Sequence, residues 1–133
     1  MAEFIMKKIV KDVGNENDFL IESAATSSEE IGNDIHPGAK TKLLEMKIPF
    51  TKHRARKITH EDYEKYDFIL GMDEENIFNM QRFWNRDPNK KVKLLLSYAG
   101  KNRDIADPWY THNFNDTYND IIEGCNAFFD IVK

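Results

Sequence analysis

Helical and extended patterns alternate along the chain from its first residues. Residues 2–12 place Phe4, Ile5 and Ile9 on one side, which predicts an amphipathic helix. This helix has no capping residue ahead of it, whereas helices usually begin with one. Residues 19–26 are apolar and then small, which predicts a strand that runs into a loop.

Three further helices have signals at their first residues. Residues 36–38, His-Pro-Gly, open one of them, because a proline at the first helical position is already in helical geometry. Residues 59–62 resemble a capping box and begin a short helix that ends near Tyr66. Acidic residues at 73–75 suit the first turn of a helix over 74–85. The first of these three helices carries Leu43, Leu44 and Met46.

Two short apolar runs complete the pattern. Residues 67–72 fit a buried strand, and residues 92–96 are a further strand candidate. A polar loop over 99–114 leads into a last helix over 115–132. The alternation of helices and strands implies an α/β fold with a parallel sheet covered on both faces. The last helix has an apolar face made of Tyr118, Ile121, Ile122, Cys125, Phe128, Phe129 and Val132.

The composition is that of a soluble globular protein with a single domain over residues 1–133. A net charge of −4 argues against a general nucleic-acid binder. No run of about 18 apolar residues is present, so no membrane span is expected. One cysteine, Cys125, excludes a disulfide within the chain and suits a reducing, cytoplasmic compartment. The basic run 52–57 is interpreted as solvated surface, and the alternative is that it attracts a phosphorylated substrate.

Three stretches resemble the low-molecular-weight protein tyrosine phosphatase family. Residues 23–38 are similar to the stretch that follows the second strand of that family, and residues 67–74 to its third strand and the next turn. Residues 107–110, Asp-Pro-Trp-Tyr, resemble its Asp-Pro-aromatic-Tyr acid loop. All three occur in the family's order and with similar spacing. The resemblance implies a three-layer sandwich with a four-stranded parallel sheet. It also implies hydrolysis of phosphotyrosine in protein substrates through a cysteinyl-phosphate, without a cofactor.

The resemblance assigns roles to residues on three loops. Asp107 is expected to be the general acid that protonates the leaving phenol oxygen; without the resemblance, Asp-Pro would be read as a turn. Trp109 and Tyr110 offer flat surfaces that flank a phosphotyrosine ring, and the alternative is that they anchor their loop. Glu29 stands where many members carry an aromatic wall of the cleft, a departure that alters one side of the substrate site.

Ser23 and His53 match family residues that support the phosphate-binding loop through hydrogen bonds; taken alone, they would be unremarkable. The remaining histidines have no metal-like spacing with one another or with the single cysteine, so no metal is expected. These are His36, His60 and His112.

A nucleophile does not stand in the expected place in this sequence. The family begins with an apolar strand and a Cys-x5-Arg-Ser phosphate loop, whereas the matching region here starts inside the helix that follows them. Cys125 is no substitute, because the residue six positions later is Ile131 and not arginine. Cys125 also lies on the apolar face of the last helix, which predicts a core residue. The chain by itself is therefore expected to be inactive.

The resemblance places the missing strand at the centre of the sheet, between residues 19–25 and 67–72. If the chain folds without it, we expect the sheet to close up or another chain to supply the strand, and in the second case oligomers form through exposed sheet edges. Either Met1 is an internal methionine mistaken for the start, or the gene has decayed. We favour the first, because Asp107, Ser23 and His53 are retained.

Three alternative functions differ in what they require of the sequence. One is a non-catalytic remnant that binds a phosphorylated partner, although no phosphate cradle is identified in the chain. A protein arginine phosphatase stays open, because that specificity is set partly inside the phosphate loop. An arsenate reductase needs additional redox cysteines, and the sequence has one cysteine.

Overall fold

The computed structural model describes residues 1–26, 36–51, 55–106 and 113–132. Within these ranges the chain forms five α-helices, two strands and two short 3-10 helices. The helices and strands are α1 (Ala2–Asp12), α2 (Pro37–Glu45), α3 (His60–Lys65), β1 (Ile69–Gly71), α4 (Glu74–Phe83), β2 (Val92–Leu94) and α5 (Phe114–Val132). The 3-10 helices span Glu16–Asp18 and Leu95–Ala99.

β1 and β2 form a parallel pair joined by α4. Ile69 is paired with Val92, and Leu70 with Lys93. The Ile69 amide donates to the Lys91 carbonyl at 3.1 Å. Because parallel strands need a crossover connection, α4 lies between them in the sequence. This arrangement confirms the predicted α/β class.

The local helix signals are confirmed. α1 starts without a side-chain cap and buries Phe4 and Ile5. α2 has proline in its first turn. At α3, Thr59 and Asp62 form both hydrogen bonds of a capping box. Each of these signals acts within a few residues, so the sequence is sufficient to specify it.

The prediction of a strand over residues 19–26 is wrong, because this segment does not pair along its length with another strand of the described chain. Phe19 has extended backbone angles, but the only bridge in this segment, within the described residues, joins Ala25 to Lys57. The Ala25 amide donates to the Arg56 carbonyl at 2.6 Å. An extended segment becomes a strand only when a neighbour pairs with its backbone, and Leu20, which is 62% exposed, has no such neighbour in the described part of the chain.

Two other predictions need correction. The strand predicted over 92–96 ends at Leu94, and its last two residues are buried in a 3-10 helix. Of the three apolar residues assigned to the second helix, Leu43 and Leu44 lie in α2, whereas Met46 stands at its C-cap. Apolar character alone does not separate a buried strand from a buried turn.

The main core lies between α5, α1 and the 3-10 helix over Leu95–Ala99. α5 approaches the 3-10 helix closely at Gly124, where an added Cβ would stand 2.6 Å from Leu95 Cγ. Cys125 is 2% exposed, which confirms its predicted place in the core. Burial raises the pKa of its thiol to about 12. The cluster comprises Phe4, Ile5, Met6, Val10, Leu43, Ile48, Leu95, Leu96, Ile105, Ile121, Cys125, Phe128 and Phe129.

A buried carboxylate organises the turn between α4 and β2. Asp87 accepts hydrogen bonds from the Tyr63 hydroxyl at 2.5 Å, the Lys91 amide at 2.8 Å and the Val92 amide at 3.0 Å. Asn85, Arg86 and Asp87 all have left-handed backbone angles, with φ of 54°, 65° and 55°. Left-handed backbone is unfavourable for side chains other than glycine. The hydrogen bonds to Asp87 therefore hold a strained turn in place.

We predict that Asp87→Asn lowers the free energy of unfolding by about 1–3 kcal/mol, because a donor group replaces one of the two acceptor oxygens. Urea unfolding followed by circular dichroism measures the change. The matched control is Asp12→Asn, which removes only an exposed ion pair with Lys8 and costs about 0.5 kcal/mol or less. Equal losses in the two variants would contradict the role given to Asp87.

Candidate functional site

The carboxyl end of β1 meets the segment that leads to the predicted acid loop. The Met72 carbonyl, just beyond β1, accepts a hydrogen bond from the Ile105 amide at 2.8 Å. The Met72 amide in turn donates to Asn76 Oδ1 at 3.1 Å. In parallel α/β sheets, ligands bind outside the carboxyl ends of the strands. Residues 103–106 therefore run along the edge where a site is expected.

Two side chains of α5 hold Ala106, the last described residue before the predicted acid. Asp120 Oδ2 accepts from the Ala106 amide at 2.9 Å. Thr117 Oγ1 donates to the Ala106 carbonyl at 2.6 Å. The amide and the carbonyl of Ala106 are thus both bonded to α5. These two bonds fix the position of the chain directly before residue 107.

An arginine completes this anchor. Arg103 Nη1 and Nη2 each donate to one oxygen of Asp120, both at 2.9 Å. Such a bidentate pair fixes orientation as well as distance. The hydrogen bonds from Arg103 hold the pKa of the Asp120 carboxyl below its ordinary value, burial opposes them, and the Ala106 amide reinforces them.

The same segment also touches the start of α4. Asp104 Oδ1 accepts from the Glu74 amide at 2.8 Å, and Asp73 accepts from the Asn76 amide at 2.7 Å. Amides at a helix N-terminus lack partners within the helix and favour negative charge. Residues 103–106 are therefore attached to β1, α4 and α5 at once.

A second junction joins the segment that precedes Glu29 to the segment that follows His53. Ala25, which follows Ser23, is bridged to Lys57. The Ser23 hydroxyl donates to Glu3 Oε1 in the first turn of α1 at 2.7 Å. The residues after Ser23 and the residues after His53 are thereby brought side by side.

Arg56, in the basic run, is engaged by carboxylates. Its guanidinium donates to Asp62 at 2.9 and 3.3 Å, and it lies 3.7 Å from Glu22. The hydrogen bond to Asp62 raises the pKa of Arg56. The pairing of Arg56 with carboxylates argues against the alternative that this part of the run attracts a phosphorylated substrate.

Five of the six predicted site residues lie outside the described residues: Glu29, His53, Asp107, Trp109 and Tyr110. Ser23 is the one within them, and its contact with Glu3 neither supports nor opposes a role beside a phosphate loop. Described residues near them in the sequence lie at the two junctions described above, Ala106 at the first and Ala25 and Lys57 at the second. The assignments themselves stay predictions.

The described histidines have structural contacts. His36 Nδ1 accepts from the Gly38 amide at the start of α2, and His60 stacks on Phe83 with ring centroids 4.4 Å apart. In the described ranges, no group of three His, Cys, Asp or Glu side chains is arranged to hold a metal ion. His112 lies outside those ranges. No helix of the described chain is long and apolar enough to cross a membrane.

Sequence reasoning missed Arg103, Thr117 and Asp120. A signal for two of them was present, because Thr117 and Asp120 are three apart and so share one side of the predicted helix. Both are buried, which shows that this polar pair faces the protein and not the solvent. Arg103 sits in a polar loop, where no local pattern separates a paired arginine from a solvated one.

The described chain is an α/β protein with a parallel strand pair, and comparisons with known proteins identify its family. The family model for low molecular weight phosphotyrosine protein phosphatase matches residues 1–133. The protein of that name from Gallus gallus is 36% identical over 135 residues, with 98% of this chain and 85% of that protein covered. The chain belongs to the low molecular weight phosphotyrosine protein phosphatase family.

Solved structures agree with this assignment. The crystal structure of YfkJ from Bacillus subtilis superposes with a TM-score of 0.93 at 29% identity, with 98% of this chain and 84% of that chain covered. The crystal structure of DARP, a Drosophila arginine phosphatase, gives a TM-score of 0.87 at 28% identity, with 99% and 88% covered.

We predict that Asp120→Asn lowers the free energy of unfolding at pH 7 by about 1–3 kcal/mol, because the Arg103 pair is lost and the Ala106 amide faces a weaker acceptor. The folded-state pKa of Asp120 lies below the unfolded value of about 3.9. This contribution is therefore present above pH 4 and is lost as the pH falls through the folded-state pKa. The difference between variant and wild type should shrink as the pH falls from 4 through the folded-state pKa.

Urea unfolding at several pH values measures both effects. The matched control is Glu123→Gln, which removes an exposed ion pair of α5 with Lys101 and should cost about 0.2–1 kcal/mol. If Asp120→Asn destabilises the protein equally at every pH from 7 down to the acid unfolding of the wild type, the ion pair is not the source of the effect.

Proposed function

We propose that this domain serves the hydrolysis of phosphotyrosine in protein substrates, with Asp107 as general acid. The supporting observation is the anchoring of Ala106, whose amide and carbonyl are both bonded to α5. A general acid needs a defined position relative to the leaving oxygen. The fixed approach of the chain to residue 107 meets that need on one side of the loop.

The remaining predicted residues take the roles that the family resemblance gives them. Asp107 protonates the phenol oxygen as a cysteine thiolate attacks phosphorus, and then activates the water that hydrolyses the cysteinyl-phosphate. Trp109 and Tyr110 flank the ring, and Glu29 makes one side of the cleft polar. Ser23 and His53 support the phosphate loop. No cofactor takes part.

We infer that the nucleophile loop and the strand before it come from residues outside this sequence. The printed sequence holds one cysteine and no Cys-x5-Arg motif. The Ile69 amide donates its hydrogen bond on the β2 side. Because the backbone groups of successive residues in a strand point to opposite edges, those of Leu70 point away from β2. No backbone partner for Leu70 lies there in the described part of the chain.

The other extended segment supports the same inference. Phe19 and Ile21, like Leu70 and Met72, pack against the main core cluster. Two extended segments thus rest on one apolar layer without a backbone bond between them in the described residues. An apolar strand between them would satisfy both edges. A strand from a second copy is the alternative, and it would give an oligomer through the edge of β1.

A protein arginine phosphatase is the second candidate function. It is favoured by the likeness to DARP, a Drosophila arginine phosphatase.

The net charge of −4 and the single cysteine are consistent with a cytoplasmic protein that binds neither nucleic acid nor membrane.

We predict that the 133-residue chain does not hydrolyse p-nitrophenyl phosphate, and that a fusion adding an apolar strand and a Cys-x5-Arg-Ser loop before Met1 does so with vanadate sensitivity. In this fusion, Asp107→Asn should lower kcat by about 10²–10⁴-fold. A fusion with Ser in place of the added Cys is the inactive control. Vanadate-sensitive turnover by the 133-residue chain would refute the inferred origin of the nucleophile.

The nucleotide sequence upstream of the Met1 codon tests the same inference independently. We expect an in-frame apolar strand followed by Cys-x5-Arg-Ser. A stop codon directly upstream would instead favour the non-catalytic alternative. Hydrolysis of a phosphoarginine peptide in preference to a phosphotyrosine peptide by the complete enzyme would favour the second candidate function.

A further inference from the structure

The arginines of the described chain fall into two kinds. Arg56 and Arg103 each make a bidentate contact with a carboxylate. Arg82 and Arg86 have no ion-pair partner within the described ranges. Two guanidinium groups without a carboxylate partner in these ranges are candidates for binding a carboxylate of a ligand.

Both unpaired arginines line one groove at the end of α4. The groove has a volume of about 620 Å³ and no acidic residue in its lining. Phe78 belongs to it and is 57% exposed, and the Arg82 guanidinium lies over the Phe78 ring at 5.5 Å. The lining residues are Phe78, Gln81, Arg82, Asn85 and Arg86, which we call the α4 groove.

The strained turn places the second arginine in this groove. α4 ends at Phe83, and Asn85, Arg86 and Asp87 then turn with left-handed backbone angles. The Arg86 amide donates back to the Gln81 carbonyl at 2.6 Å. The buried Asp87 carboxylate fixes the turn through its three hydrogen bonds. Strain that the surroundings hold in place is a feature of binding and active sites.

The helix dipole offers a simpler account of part of this arrangement. Basic residues near a helix C-terminus are favourable, and Arg82 is in the last turn of α4. That account does not require the large exposed aromatic ring of Phe78, nor a second arginine beyond the helix end. A charged groove with an apolar floor matches a ligand that has both characters.

A neighbouring groove extends this face. It has a volume of about 430 Å³ and shares Arg82 and Asn85 with the α4 groove. Its other lining residues are mostly aromatic or ring-bearing: His60, Tyr63, Glu64, Phe83, Trp84 and Pro88. Arg82 therefore stands between two surfaces that both offer rings, which suits a peptide a few residues long.

We propose that the α4 groove binds an acidic segment of a partner protein that carries a large apolar side chain. The carboxylates of the segment pair with Arg82 and Arg86, and the apolar side chain packs on Phe78. The Glu74 amide, which bonds to Asp104, lies about 6 Å along α4 from Phe78 and about 12 Å from Arg82. The inference does not depend on the proposed phosphatase function.

Fluorescence polarisation with a labelled peptide tests this proposal on the chain as it exists. The probe is a fluorescein-labelled peptide of sequence Glu-Asp-Phe-Glu-Glu, and its neutral counterpart has Gln and Asn in place of the acids. We expect saturable binding of the acidic probe that weakens as salt is raised. No saturation up to about 1 mM protein would overturn the proposal.

Variants locate the binding. The double variant Arg82→Gln, Arg86→Gln should weaken binding about 4–25-fold, since each exposed ion pair contributes about two- to fivefold. Phe78→Gln should weaken it while keeping the salt dependence. The control Lys7→Gln, Lys8→Gln makes the same change in net charge on α1 and should leave binding unchanged. Equal losses in both double variants would mean general charge attraction and would overturn the proposal.

Competition identifies the class of ligand. Unlabelled acidic peptide should displace the probe, whereas the neutral peptide should not. A single-stranded oligonucleotide of equal charge is the competitor that tests the alternative, because bases can also stack on rings beside arginines, and we expect it to compete poorly. Displacement by the oligonucleotide at the same concentration as the acidic peptide would replace the proposed partner with a nucleic acid. Circular dichroism of each variant confirms that it is folded.

Discussion

The packing of α5 against the rest of the main core is the constraint on which the other parts of the structure depend. Its buried side chains, Ile121, Cys125, Phe128 and Phe129, contact α1 on one side and the 3-10 helix over Leu95–Ala99 on the other. The close approach at Gly124 leaves no room for a side chain there. The same helix carries the groups that hold Ala106. The position of residues 103–106, which precede the predicted acid Asp107, is therefore set by the packing of the hydrophobic core.

Local signals in the sequence predict the helices well and the sheet poorly. Helix starts such as the Thr59 capping box and the proline of α2 depend on a few adjacent residues, and the structure confirms them. The strand predicted over 19–26 depends on a neighbour that no local pattern can supply. The run ending at Leu96 shows the same difficulty, because two buried leucines satisfy a strand and a 3-10 turn equally well.

The candidate site also combines features that the sequence predicts with features that only the structure shows. A resemblance that rests on short motifs assigns roles to loop residues, and most of these lie outside the described part of the chain. The structure instead adds the supports, Arg103, Thr117 and Asp120, which no motif marks. Their effect depends on a contact between a loop and a helix 14 residues further along, which a single sequence does not reveal.

The burial of Cys125 has a consequence for the chemistry of the folded protein. Modification of a cysteine requires the thiolate, and a thiol with a pKa of about 12 is almost fully protonated at neutral pH. The side chain is also closed to reagents while α5 stays packed. Since these 133 residues contain no other cysteine, the rate at which they react with a thiol reagent is governed by how often α5 leaves the core. The molecule thus carries its own chemical reporter of core opening.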